Sequence, residues 1–129
     1  MRYLGIDVGK KRVGLSLSDK GGLMAFPYQT ILRELHGDEG CCRVVKEICD
    51  KELVDRVVVG IPLNMKGEST KETEQVQLFT EKLQRFISQP IIFENEVFSS
   101  KQASRSGNKR IDEKAASIVL QSYLDKLQN

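Results

Sequence analysis

"LGIDVGKKRVGLSLSD", residues 4–19, decides the fold class. Two apolar runs, 2–8 and 12–18, flank the basic segment Gly9-Lys10-Lys11-Arg12, which is the pattern of a β-hairpin. Asp7 stands inside the first run, on the same face as Tyr3 and Gly5, because side chains alternate along a strand. A carboxylate in a buried strand needs a partner. Gly5, Gly9 and Gly14 leave room for another group to approach the backbone closely. One reading has Asp7 accept bonds from turn amides at a strand end; the other has it face a ligand.

Working outward, a Gly21-Gly22 turn leads into a third strand through 23–32. Asp38 is then a candidate cap for a helix whose apolar residues Cys41, Val44, Val45 and Ile48 fall at i, i+3, i+4 and i+7. The continuous apolar run RVVVGIPL (56–63) is expected of a strand covered on both faces. Ser69 with Glu72 predicts a capping box and a helix through about Phe86. PIIFENEV (90–97) is the last strand, and Ser99 with Gln102 suggests a short helix start. Over 111–127, Ala115, Ala116, Val119, Tyr123 and Leu127 form one helical stripe. The order β-β-β-α-β-α-β-α-α predicts an α/β fold: a mixed five-stranded sheet, an antiparallel meander followed by parallel βαβ crossovers, flanked by helices. There is no internal repeat, low-complexity tract or linker, so residues 1–129 are expected to form a single domain.

Composition narrows the function. Of 129 residues, 40% are hydrophobic and 29% charged, and the formal net charge is only +2. Affinity for a polyanion must therefore come from local patches and not from the overall field. No apolar run approaches the roughly 20 residues that cross a bilayer, and the start of the chain lacks a signal-peptide layout. The three cysteines, Cys41, Cys42 and Cys49, form no CxxC pair, which suits a reducing cytoplasm. The lone His36 has no partner at ligand spacing, which argues against zinc sites and histidine triads.

Further acids give Asp7 company. Glu94 and Glu96 share one face of the 90–97 strand, and Glu96 stands at its C-terminal end, the place where open α/β sheets bind ligands. Asp112 opens the last helix, a position that capping alone would also explain. Carboxylates brought together repel and resist ionising unless a cation sits between them. Magnesium, a hard ion usually held by a few carboxylates with water and phosphate, suits such a site. A pair of such ions serves phosphodiester cleavage.

Three segments make the chain similar to a known family: residues 4–19, VVVGIPLNMKG (57–67) and IDEKAASIVLQSYLD (111–125). It resembles the YqgF (RuvX) family of Holliday-junction-resolvase-like nucleases over nearly its whole length. The resemblance implies a ribonuclease H-like fold and a nuclease dependent on Mg2+ or Mn2+, with two ions. It also implies a role in maturing the 5′ end of 16S ribosomal RNA or in resolving branched nucleic acid. Asp7, Glu96 and Asp112 take the family's acidic positions as catalytic and metal-binding residues, with Glu94 as a fallback ligand. Where the family shows Asp-Glu-Arg, this chain reads Asn95-Glu96-Val97. The valine cannot orient a phosphate as an arginine would, so the alternative is a non-catalytic RNA-binding factor of ribosome biogenesis that keeps the fold.

Nucleic-acid contacts are expected from basic residues beside those acids. Residues 97–111 contain no acid but include Lys101, Arg105, Lys109 and Arg110; Lys10, Lys11 and Arg12 form a second cluster next to Asp7. Asn64, after a central strand, is a candidate for a phosphate or sugar contact, although turn chemistry selects asparagine too. The hairpin also resembles the phosphate-binding element of sugar kinases and actin-like ATPases. Those enzymes close two such domains on a nucleotide, which this length does not provide.

Overall fold

The computed structural model describes residues 1–96 and 109–128, with the side chains of the last helix described from Asp112 onward. Its elements are β1 (Tyr3–Val8), β2 (Arg12–Ser18), β3 (Ala25–Leu32), α1 (Arg33–Lys51), β4 (Arg56–Ile61), α2 (Lys71–Leu83), β5 (Ile91–Asn95) and α3 (Lys109–Gln128). β1 pairs antiparallel with β2 and β2 with β3, whereas β4 pairs parallel with both β1 and β5. The order β3-β2-β1-β4-β5 is the mixed five-stranded sheet expected from the sequence.

Alternation sends side chains to two cores. On one face, Leu4, Ile6, Val13, Leu15, Val57 and Val59 pack with Cys41, Cys42, Val45, Ile48 and Cys49 of α1 and with Val76, Phe79 and Leu83 of α2. On the other, Tyr3 and Val58 meet Val119, Leu120 and Leu124 of α3. β4 therefore reads as an unbroken apolar run because both its faces are covered. All three cysteines are buried and free, and burial pushes each thiol's pKa up.

α3 lies tight on the sheet. A Cβ on Gly5 would come 2.8 Å from Leu120 Cβ, and one on Gly14 would overlap the backbone carbonyl of Asp112. Ser16 Oγ, next to these glycines, donates to the Ala116 carbonyl at 2.8 Å. The glycines thus act as a track that lowers the helix onto the strands.

Several boundaries differ from the sequence reading, each for a local reason. The third strand starts at Ala25 because the Asp19 carboxylate accepts from the amides of Gly21, Leu23 and Met24 and holds them in a turn. α1 begins at Arg33 and is broken at Gly37, where φ is 70°. The Asp38 carboxylate pairs with Arg33 and Lys82. The capping box is one residue on from the expected one, Thr70 with Thr73, since Ser69 bridges back to Leu63. On α3, Leu120 and Leu124 are buried, while Leu127 is 49% exposed beyond the part of the helix that crosses the sheet. Tyr123 packs edge-on against Tyr3 with ring centroids 5.8 Å apart. The expected helix start at Ser99 and Gln102 lies outside the described residues. No helix among the described residues is long and apolar enough to cross a membrane.

Candidate active site

The parallel pairing of β1, β4 and β5 brings their C-terminal ends to one edge of the sheet. Asp7 is the penultimate residue of β1, and Glu96 follows β5 directly. Antiparallel β2 begins at the same edge, and its Gly14 stands opposite Asp7. The first turn of α3 lies across Gly14, which delivers Asp112 to the edge as the fourth residue of its helix. Asp112 is therefore within the first turn, where the helix dipole favours an acid.

Asp7 and Glu96 are within side-chain hydrogen-bonding reach of each other. Glu96 is only 3% exposed and folds back over Gly60, where an added Cβ would lie 2.9 Å from its Oε2. Its amide donates to the Ile61 carbonyl at 3.2 Å, tying residue 96 to the end of β4. Asp7 keeps partial solvent contact, yet enough protein surrounds its carboxylate for burial to dominate its titration. Burial raises the pKa of Asp7, the Glu96 hydrogen bond opposes this, and the charge of Asp112 adds a smaller rise. Burial raises Glu96 as well, followed by the charge of Asp7 and that of Glu72 at the start of α2. With Glu96 buried and Asp7 largely so, two carboxyl groups in contact resist ionising together unless a cation lies between them, which favours a proton held between the pair.

Asp112 is also raised by burial, with the Arg12 charge opposing. Its Oδ2 lies 4.0 Å from Arg12 Nε, too far for a hydrogen bond. Among the described residues, the buried side-chain atoms with no hydrogen-bond partner are Arg12 Nε, Glu96 Oε2 and Asp112 Oδ2. All three lie at this edge. Buried polar atoms are normally satisfied, so their concentration here marks a place prepared for another group.

The remaining sequence candidates divide. Lys10 and Lys11 are exposed on the β1–β2 turn beside Asp7. Asn64 lies in the loop after β4, but its Oδ1 accepts from the amides of Lys66 and Glu68 at 2.9 Å each, and its Nδ2 donates to Glu68. Its side chain is committed to the turn. Glu94 is only 4% exposed and is held away from the Asp7 pair: it accepts from Ser122 at 2.9 Å and pairs with Lys126 at 2.8 Å. Those partners lie ten and fourteen residues beyond Asp112 on α3, roughly 15–21 Å along the helix. Lys101 and Arg105 lie outside the described residues, as do the side chains of Lys109 and Arg110. Sequence reading overlooked Gly60 and Glu72. A glycine within an otherwise β-branched strand was a legible sign of close approach, whereas Glu72 carried no signal beyond its place in a helix start.

The family model described as "RuvX: Holliday junction resolvase" matches residues 1–126. The chain belongs to this family. It is 39% identical to a "Putative pre-16S rRNA nuclease" of Caldanaerobacter subterraneus, with 100% of this chain and 99% of the relative covered. A Streptococcus pneumoniae protein of the same name is 38% identical over 98% of this chain and 99% of its own length. Among solved structures, Thermus thermophilus RuvC in complex with a Holliday junction substrate has a TM-score of 0.64 at 15% identity, covering 100% of this chain and 97% of that one. The fowlpox virus resolvase in complex with Holliday junction DNA has a TM-score of 0.58 at 14% identity, with 100% of both chains covered. The fold of the RuvX chain is therefore that of the RuvC-like resolvases, a ribonuclease H-like fold. Resolvase and pre-16S rRNA nuclease both name phosphodiester-cleaving enzymes, and this family member is a nuclease.

Proposed function

We propose that residues 1–129 act as one cytoplasmic nuclease domain that hydrolyses phosphodiester bonds of precursor 16S rRNA near its 5′ end, using Asp7, Glu96 and Asp112 with Mg2+ or Mn2+. The observation that carries this reading is the buried Asp7–Glu96 contact with the unpartnered Glu96 Oε2 and Asp112 Oδ2 beside it. The donor set suits a hard divalent ion, since every candidate ligand is a carboxylate oxygen. No ready-made group of three metal-ligating side chains occurs among the described residues. Magnesium is commonly held by one or two carboxylates, with water and substrate phosphate completing its shell.

Asp7 and Glu96 would supply the negative charge that retains the ions, giving up their shared proton on binding. Asp112, drawn toward Arg12, would complete the set from the side of α3. When bound, a pair of such ions activates water and stabilises the leaving oxygen. Lys10, Lys11 and Arg12, with Lys101, Arg105, Lys109 and Arg110, would neutralise backbone phosphates, and Asn64 would shape the loop at the mouth. Glu94, held by Lys126 and Ser122, serves the fold. Precursor rRNA is placed ahead of junction DNA because the full-length relatives that carry the rRNA name are 38–39% identical. The junction complexes are only 14–15% identical.

The test is cleavage of a precursor 16S RNA and of a four-way DNA junction with Mg2+, with Mn2+ and with chelator. Metal-dependent cutting of the RNA in preference to the junction is expected. Preference for the junction would move the substrate to branched DNA. Tight RNA binding without cleavage under any metal would overturn the nuclease chemistry in favour of a binding factor, with Val97 the first residue to exchange for arginine.

A further inference from the structure

We propose that Arg33 is a positioning residue for substrate binding, clamping the backbone of the basic β1–β2 turn from the opposite side of the sheet edge. Its Nη1 donates to the Gly9 carbonyl at 2.8 Å, and its own amide donates to the Lys11 carbonyl at 2.8 Å. One residue thus grips both ends of the segment that carries Lys10. The turn's internal bond, from Gly9 N–H to the Arg12 carbonyl at 2.8 Å, closes the turn around the two gripped carbonyls.

The guanidinium is fixed in turn. Its Nε and Nη2 reach the two oxygens of Asp38 at 2.7 and 3.4 Å, and Lys82 of α2 donates to the same carboxylate at 2.9 Å. The Phe79 ring lies 5.4 Å from the Arg33 Cζ. The Arg33 hydrogen bond, and then that of Lys82, holds the Asp38 carboxyl down at about 2, so the anchor is ionised at any working pH. A planar fork is needed for this geometry: three nitrogens address a carbonyl and a carboxylate at once while the plane covers a ring. A lysine ammonium could serve one of those partners well but not both.

The consequence is preorganisation. Lys10 and Lys11 are exposed and bear long side chains, and a phosphate contact made from a loose turn would also have to order the backbone. With the turn gripped at Gly9 and Lys11, that cost is met during folding. The clamp also ties the acidic edge to both α1 and α2, which cover the face opposite α3. This inference rests on the reading of the Lys10–Lys11 turn as a nucleic-acid contact.

The test uses the full chain, a precursor 16S RNA fragment as probe, and chelator to prevent cleavage. Arg33→Lys should stay folded and weaken binding roughly fivefold to tenfold, the scale of one lost net hydrogen bond, with a flatter salt dependence. The Gly9 amide should exchange with solvent faster while amides of β4 do not change. Against a Lys10→Ala/Lys11→Ala background, Arg33→Lys should add little, because both changes remove the same contact. Asp38→Asn, which loosens the anchor and keeps Arg33, should show the same pattern more weakly, and it remains informative if the Arg33 variant melts too low. Wild-type affinity in Arg33→Lys, or a loss fully additive with the lysine pair, would overturn the clamp alone. If the lysine pair binds as tightly as wild type, the turn is no contact and the clamp falls with it. Metal-dependent cleavage would then still stand as the separate measure of the nuclease reading.

Discussion

Glu94 and Glu96 are two residues apart, share a face of the sheet and are almost equally buried, at 4% and 3% exposure. Their surroundings are opposite. Glu94 meets a cation and a hydroxyl, Lys126 and Ser122. Glu96 meets another acid, Asp7, and leaves one oxygen without a donor. Burying a charge is tolerable when it is paired and costly when it is not. The first arrangement stabilises a fold. The second lowers stability in the absence of a cation and is retained, on our reading, because it holds one. Burial of an acid therefore says little by itself; what the acid faces decides its use.

The largest effect should come from breaking the two acids separately. Glu96→Gln and Asp7→Asn are each expected to lower metal-dependent cleavage by several powers of ten, the range associated with losing a metal-activated water. Glu94→Gln should keep most of the activity and lose about 1–2 kcal/mol of stability through its weakened bonds to Lys126 and Ser122. Cleavage rates and melting curves on the three variants check this. Equal activity losses at positions 94 and 96 would end the distinction.

Metal linkage sharpens the same contrast. Mg2+ at a hundredfold excess over its dissociation constant would add about 2.7 kcal/mol to wild-type stability. Its midpoint should rise on titration with Mg2+, as should that of Glu94→Gln, whereas Glu96→Gln should respond little. Calorimetric melting is the readout, and it does not depend on activity.

The pH dependence should be smaller and carry a definite sign. Asp7 and Glu96 are both raised, so the folded chain keeps protons that the unfolded chain has released above about pH 4. Because the folded state binds more protons, stability from these groups falls as pH rises. In chelator, the wild-type midpoint should decline between about pH 5 and pH 8 more steeply than that of Glu96→Gln. Asp38 has the opposite sign. Its pKa is lowered to about 2, so its contribution is present above about pH 4 and is lost as pH falls toward 2.

Smallest of all should be Lys126→Ala. The lysine is 63% exposed, so water can take the place of its ammonium, and Glu94 keeps the bond from Ser122; the loss is therefore about 0.5–1 kcal/mol. A slightly lower midpoint with unchanged cleavage is expected. A cleavage defect of the size seen at Glu96 would mean that Glu94 belongs to the site after all.

Periodicity determined much of this protein. The hairpin of residues 4–19, the doubly covered β4 run and the helical stripe from Ala115 fixed an α/β fold with a mixed sheet, because each pattern reports which face of an element is buried. Asp7 and Glu96 were legible as candidates because an acid in an apolar strand conflicts with its surroundings. Boundaries were less legible: Thr70 displaced Ser69 as the cap, and Leu127 lay on the predicted stripe yet beyond the sheet. Tertiary structure alone decided which acids meet. The sequence ranked Glu96 above Glu94 by its place at the strand's C-terminal end, but their shared face did not reveal their partners; only the packing of α3 on the sheet brings Lys126 to one and leaves the other with Asp7. The Arg33 clamp was equally hidden. Its partners, Gly9, Lys11, Asp38, Phe79 and Lys82, come from separate parts of the chain, and no local spacing records a contact that exists only once the helices have packed on the sheet.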